Sequence, residues 1–449
     1  MNAYDITSLM RRFLSLSPAY PAFILLFGMI PAFAAVDMLG IEWHPGITVA
    51  LYVSSLAWSL LLTWNRRRDL PPFNRFDLLL SLFVLTILVS ILLHDRVVDL
   101  VTGYPRYLPF LLVAPYLSGR LMTQRDIELL ARILAYVGLA ILPVLLWDAH
   151  GSPVSAGRQI FFGMSHSPLL VGGLLAFSLL SIGARDDAGI CANSRPWKQT
   201  LQYALMGLIT GFMIWVSARG WVISVGFGFL ALLSGSIWNK GLRKVYLRRL
   251  AFVLAMIWLA FSAFPDTHDF YARVLSDTPT RFAELSVPGP TRFAEQSVPG
   301  PILGFDSCRP IEISADSVAI RWVLYQEAVA QFMQAPLMGN GAGLFGERSC
   351  LGTGGFPHST VLQAFSELGL VGGIALVTLL ATAVITLFRL LARQKNLAGN
   401  THLILTLAFL AMYLIADQIY GNYFMASGTY LVLGVIAALH DRAKGQSPR

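Results

Sequence analysis

Charge is what this chain has least of. Of 449 residues only 13% are Asp, Glu, Lys or Arg, while 55% are apolar and the mean hydropathy is +0.62. A chain of this size could not hide so much apolar surface in water, so the composition excludes a fold whose main solvent is water. Cysteine is nearly absent: Cys191, Cys308 and Cys350 are the whole set, and no His/Cys cluster has the spacing of metal ligands. Paired carboxylates are missing from the stretches expected to face outward, and no Walker-type phosphate loop is present. The expectation is therefore a protein with no metal, no cofactor and no use of ATP.

Long apolar runs are what the chain has in plenty. About 20 residues at 1.5 Å rise cross the hydrocarbon of a bilayer, and lipid cannot satisfy an open backbone, so such runs must be helices. Twelve are read: 20–39, 47–64, 76–93, 99–117, 127–147, 161–183, 199–217, 220–238, 250–264, 361–388, 401–418 and 424–440. With both termini inside, most of the 33 basic residues fall in inward segments, from Arg66-Arg67-Arg68 to Arg389, Arg393 and Lys395. Short outward loops hold only Arg96, Arg158 and Arg219. The net charge of +8 is thus a topology signal and gives no case for nucleic acid. Arg11, Arg12 and the following apolar run could also be read as a cleavable signal peptide, but an uncleaved first helix keeps the charge bias consistent.

The fold class expected is an all-α integral membrane protein of about twelve helices. It forms a single domain over 1–449 with one large outer loop, 265–359, between helices nine and ten. That loop faces the periplasm if the cell is Gram-negative. Cys308 and Cys350 both fall in it and are disulfide candidates in an oxidising space. It also contains a tandem repeat, Thr280–Pro290 and Thr291–Pro301, read as a duplicated insertion in a tolerant surface loop. Residues 316–334 carry apolar positions at helical spacing (Val318, Trp322, Tyr325, Val329, Phe332), with Asp316 as a candidate cap and Pro336 as the stop. This helix is expected on the outer rim of the bundle. Gly339-Asn340-Gly341-Ala342-Gly343 reads as a flexible turn. It follows no strand, so it is weak ground for a phosphate site.

A charge inside a membrane span is costly and needs a reason. Arg106, Arg132, Glu367 and Asp417 fall within expected spans, and Arg219 falls at an outer boundary. Arg106, Arg158, Arg219 and Asp417 are expected near the outer membrane boundary, at the level of Arg321 and His358. A single interfacial Arg more often snorkels or binds lipid than does chemistry. Several Arg beside one His are different. Guanidinium grips phosphate oxygens and stays charged, and imidazole accepts a hydroxyl proton near neutrality. Together they suit an anionic, lipid-linked substrate.

Three stretches then carry a resemblance. They are Arg321-Trp-Val-Leu-Tyr-Gln-Glu-Ala328, Ala335-Pro-Leu-Met-Gly-Asn-Gly-Ala-Gly343 and Pro357-His-Ser-Thr-Val-Leu-Gln-Ala-Phe-Ser-Glu-Leu-Gly369. Their order resembles the O-antigen ligase and polymerase superfamily of bacterial polytopic glycosyltransferases. Ser217-Ala218-Arg219-Gly220 is similar to that family's Ser-x-x-Arg element, and the stretch from Arg158 to Ser167 is loosely similar to its Arg-led entry to a span. The resemblance implies a GT-C-like fold in the bacterial inner membrane with the active site facing the periplasm. The donor would be a glycan on undecaprenyl diphosphate. Arg219 and Arg321 would hold the diphosphate, and His358 would be the general base on the acceptor hydroxyl. Arg158, Arg106 and Asp417 would be secondary substrate-binding residues, and Glu367 a packing residue or an acceptor contact. Displacement would invert the anomeric carbon without a metal.

The resemblance leaves three acceptors open. A ligase passes the glycan to lipid A-core, a polymerase to another lipid-linked unit, and a protein transferase to Ser or Thr. The ligase is the expected reading. A secondary transporter is the alternative of a different kind, since twelve spans and buried charges suit one. Against it, the largest loop does not fall at the midpoint and the polar residues gather at one face.

Overall fold

In the computed structural model the chain is described over residues 17–38, 45–66, 72–149, 154–155, 158–159, 167–184, 196–216, 219–236, 240–263, 317–347, 349, 356–393 and 400–445. Cys308, Cys350, Asp316 and the repeat at 280–301 lie outside the described residues. Among the described residues the regular elements are helices, apart from two short strands, β1 (Val154–Ser155) and β2 (Arg158–Gln159), pairing antiparallel.

The helices are α1 (Ala19–Phe27), α2 (Met29–Met38), α3 (Pro45–Asn65), α4 (Arg75–Leu93), α5 (Asp99–Thr102), α6 (Ala114–Leu121), α7 (Gln124–Ala149) and α8 (Ser167–Ala184). They continue with α9 (Pro196–Trp215), α10 (Arg219–Gly235), α11 (Lys240–Ala263), α12 (Ser317–Gln334), α13 (Thr360–Ala392), α14 (Thr401–Ile419) and α15 (Ser427–Gly445). Every apolar run read from the sequence meets helix. By length and composition α3, α4, α7, α13 and α14 can each cross a membrane. The first run is broken: α1 and α2 meet at 63°, where Pro31 removes an N–H from the first turn of α2. The fourth run is also not one helix. Pro105, Pro109 and Pro115 divide it into α5, a 3-10 turn (Tyr104–Tyr107), a π turn (Leu108–Val113) and α6. Apolar side chains such as Leu60, Leu82, Leu85 and Ile374 point away from the bundle, a face that suits hydrocarbon.

Lipid tails are as apolar as leucine, so helices in a bilayer associate by close packing and polar contacts. Both devices occur where α6 meets α15. A Cβ on Gly119 would overlap Leu431 O, and one on Gly434 would overlap Tyr116 O, so the two backbones touch. Beside this crossing lies a buried ionic clamp. Arg120, 4% exposed, gives Nη2 and Nε to the Asp77 carboxylate at 2.9 and 3.1 Å and Nη1 to Asp441 at 2.8 Å. Tyr116 and Asn74 donate to the same two acids at 2.7 Å. Asn74 and Asp77 also form a capping box that starts α4. Arg120 is therefore the tie between α4, α6 and α15.

Candidate functional site

The opposite end of α4 leads to the expected functional residues. Helix α13 starts at Ser359, whose Oγ accepts from Leu362 N at 3.3 Å. His358, one residue earlier, holds φ +52°, a left-handed conformation uncommon for a side chain larger than glycine. Its half-buried imidazole lies 4.3 Å from the Phe356 ring, centroid to centroid.

The Pro-x-x-Gly-x-Gly turn packs against α13 further along, around its break at Gly369. Helix α13 is broken at Gly369, with φ +66°, and carbonyls near the break are freed. Asn340 N–H donates to Ser366 O and Gly341 N–H to Glu367 O, each at 3.0 Å, and Leu370 N–H donates to Pro336 O at 2.7 Å. Glu367, 1% exposed, accepts from Gly343 N (2.8 Å), Phe345 N (3.2 Å), Gln363 Nε2 (3.1 Å) and Tyr423 Oη (2.6 Å). Ala342 N–H reaches Ser90 Oγ on α4 at 3.0 Å. A Cβ on Gly339 would overlap Glu367 O, and one on Gly369 would overlap Leu337 O. The turn is thus not a loose loop. Its N–H groups are engaged with α13 and α4, and Glu367 is the packing hub.

One short segment gathers the rest. At the end of α14, Asp417 O accepts from Thr360 Oγ1 at 2.7 Å, and Thr429 Oγ1 donates to the Asp417 carboxylate. Gln418 Oε1 accepts from Ser359 Oγ at 2.6 Å, and Gln418 O accepts from Tyr325 Oη of α12 at 3.0 Å. Tyr420 places its ring under the Arg321 guanidinium, 5.3 Å from the centroid. Its Oη accepts from Gly220 N–H at 2.7 Å, next to Arg219 at the first position of α10. A Cβ at 220 would overlap the Tyr420 ring, which explains the glycine after Arg219. Burial raises the Tyr325 phenol pKa, and nearby Arg321 opposes that rise.

Residues 417–420 therefore touch the three elements that carry Arg219, Arg321 and His358. For Arg219 this concerns the backbone of its helix start. Arg106 is exposed on the 3-10 turn, with its hydrogen bond (2.7 Å) and ring contact (4.8 Å) to Tyr107. Arg158 is described through its backbone, paired with Ser155. Arg132 is exposed beside Glu128 at 3.7 Å. Helix α12 packs on α13, with Leu324 and Ala328 buried together with Phe345. Tyr420 and Gln418 escaped the sequence reading, although a polar Asp-Gln-x-Tyr-Gly cluster closing an apolar span was the available signal.

Residues 204–377 match the O-antigen ligase family. The matched stretch, under half of the chain, is similar to the O-antigen ligase and polymerase superfamily. It contains Arg219, Arg321, the glycine turn, His358 and the break at Gly369, whereas Arg106, Arg158 and Asp417 lie outside it. No curated protein matches the chain. The O-antigen ligase match and the apolar helices together indicate a multi-pass membrane protein with a glycosyltransferase-like activity on glycan and lipid substrates.

Proposed function

We propose that the protein transfers a glycan from undecaprenyl diphosphate to a hydroxyl of lipid A-core at the periplasmic face of the inner membrane. The observation that carries this reading is the 417–420 segment, which joins the helix start of Arg219, the guanidinium of Arg321 and the helix start after His358. In this reading Arg219 and Arg321 hold the diphosphate. His358 takes the proton of the acceptor hydroxyl, and the oxygen attacks the anomeric carbon from the face opposite the diphosphate. The carbon–oxygen bond to the diphosphate breaks, the configuration inverts, and the leaving anion gains its charge between two guanidiniums. Asp417 acts through position, holding the start of α13 by its carbonyl.

A lipopolysaccharide gel of a deletion strain tests this, complemented with wild type or with His358→Asn. Wild type should restore the ladder. The variant should leave bare core, with polymer retained on the carrier lipid. Core bearing a single repeat would mean a polymerase instead. An unchanged ladder in the deletion strain would remove lipopolysaccharide from the account.

A further inference from the structure

The end of the bundle away from His358 holds a second site that the proposed transfer does not use. A cavity of about 530 Å³ opens between the starts of α7 and α14 and the end of α15. Its polar lining is Thr123, Gln124, Arg125, Asn400, His402 and Arg442, and Leu439 is among its apolar walls. That volume lies within the range of small-ligand sites, about 300–1,000 Å³.

Among the described residues that line the cavity, two are arginines and none is an acid. Arg442 is half-buried, and its Nη1 is buried with no hydrogen-bond acceptor among the described residues. A buried donor of that kind is costly unless something completes it. His402 is 2% exposed and lines the cavity. Helix α14, 19 residues long, begins at this cavity, so the positive end of its dipole lies beside it. The nearby acids are largely engaged elsewhere. Asp441 takes Arg120 and Asn74, and Asp126 takes the Thr123 N–H and hydroxyl at 2.8 and 2.7 Å while also attracting Arg442. Arg125 is exposed at the mouth.

We propose that this cavity binds the phosphate of an acidic phospholipid headgroup. Two guanidiniums and a helix start make a site for a compact anion. The lipid source follows from position: the cavity lies at the ends of membrane-length helices α7, α13 and α14, with Leu390, Leu403 and Leu439 beside the cations for acyl or glycerol carbons. Basic pockets between membrane helices are suited to anionic headgroups on the inner leaflet.

The test is lipid retention by the full chain purified in neutral detergent. Phosphatidylglycerol, phosphatidylcholine and inorganic phosphate are each titrated and read by native mass spectrometry and thermal unfolding. Wild type should retain phosphatidylglycerol over phosphatidylcholine. Arg125→Gln should weaken retention by about fivefold, the loss of one basic group near an anionic surface. Arg442→Gln should weaken it further. Arg125 is exposed, so its variant keeps the test usable if Arg442→Gln does not fold. Equal retention of phosphatidylcholine would overturn the proposal, as would a wild-type affinity in Arg125→Gln. Inorganic phosphate giving the whole thermal shift by itself would overturn the lipid assignment in favour of a free anion. Neither readout depends on glycan transfer.

Discussion

The two ends of α4 hold their arginines in opposite ways. At the Asn74 end, Arg120 is buried between two carboxylates that fix it and cancel its charge. At the Ser90 end, Arg321 lies over the face of Tyr420, which orients the guanidinium. The first arrangement uses a charge in the architecture of the bundle. The second holds one against a ring beside the residues of the proposed site. Both arginines looked alike as residues beside apolar runs, and only their surroundings separate them.

Breaking the architectural end should have the largest effect. Removing one partner of a buried ion pair strands the other, at a cost of about 3–5 kcal/mol. Arg120→Ala should therefore lower the yield of folded protein and its unfolding temperature in detergent. A stable Arg120→Ala protein would mean that the clamp is dispensable and would remove the contrast. At the other end the largest effect should fall on activity alone. His358 needs a left-handed backbone, which Gly and Asn both accept, so His358→Gly and His358→Asn separate imidazole from conformation. Transfer should fall about 10²–10⁴-fold in both, the range of a lost general base, with the unfolding temperature held. Retained transfer in either variant would end the base role.

A smaller effect tests whether the glycine turn serves the site through the break in α13. Gly369→Ala should cost about 1–3 kcal/mol, because its Cβ would overlap Leu337 O at a φ of +66°. Transfer should fall with stability, since α13 carries His358 at its start. Gly226→Ala is the control: apart from its chain neighbours and its own helix backbone, nothing lies within 4 Å of its added Cβ, and a helix interior favours Ala over Gly by about 1 kcal/mol. A Gly369→Ala protein as stable as that control would show that the turn does not hold the break.

Much of this was legible because apolar runs must become helices in lipid. The runs at 76–93 and 401–418 came out as α4 and α14 almost residue for residue. The run at 99–117 did not, since hydropathy does not register what three prolines do to a helix. The site shows the same division. Arg321, His358 and Glu367 were visible as rare polar residues with a recognisable spacing. The glycine turn was visible, but its use was not: glycines that let a loop meet phosphate and glycines that let it meet a helix break have the same composition. Tyr420 was not singled out because an aromatic residue closing a membrane helix is expected at any interface. Its meaning comes from Gly220 and Arg321, which lie 200 and 99 positions away in sequence.

Tyr420 also offers the smallest and sharpest test of the comparison. Tyr420→Phe keeps the ring beneath Arg321 and removes the acceptor for Gly220 N–H, one of the donors that a helix start leaves without an internal partner. The expected cost is about 1 kcal/mol, or roughly fivefold to tenfold in transfer. Tyr420→Leu removes the ring face as well, and a cation–π contact contributes about 0.5–2 kcal/mol more. If the ring orients Arg321 toward the diphosphate, the extra loss in Leu should appear as a higher KM for the lipid-linked donor and leave the acceptor KM unchanged. Equal losses in Phe and Leu would assign the whole effect to the start of α10 and leave the ring face idle. No loss in either would show that Arg321 is aimed by something other than Tyr420, and the contrast between the two ends of α4 would no longer hold.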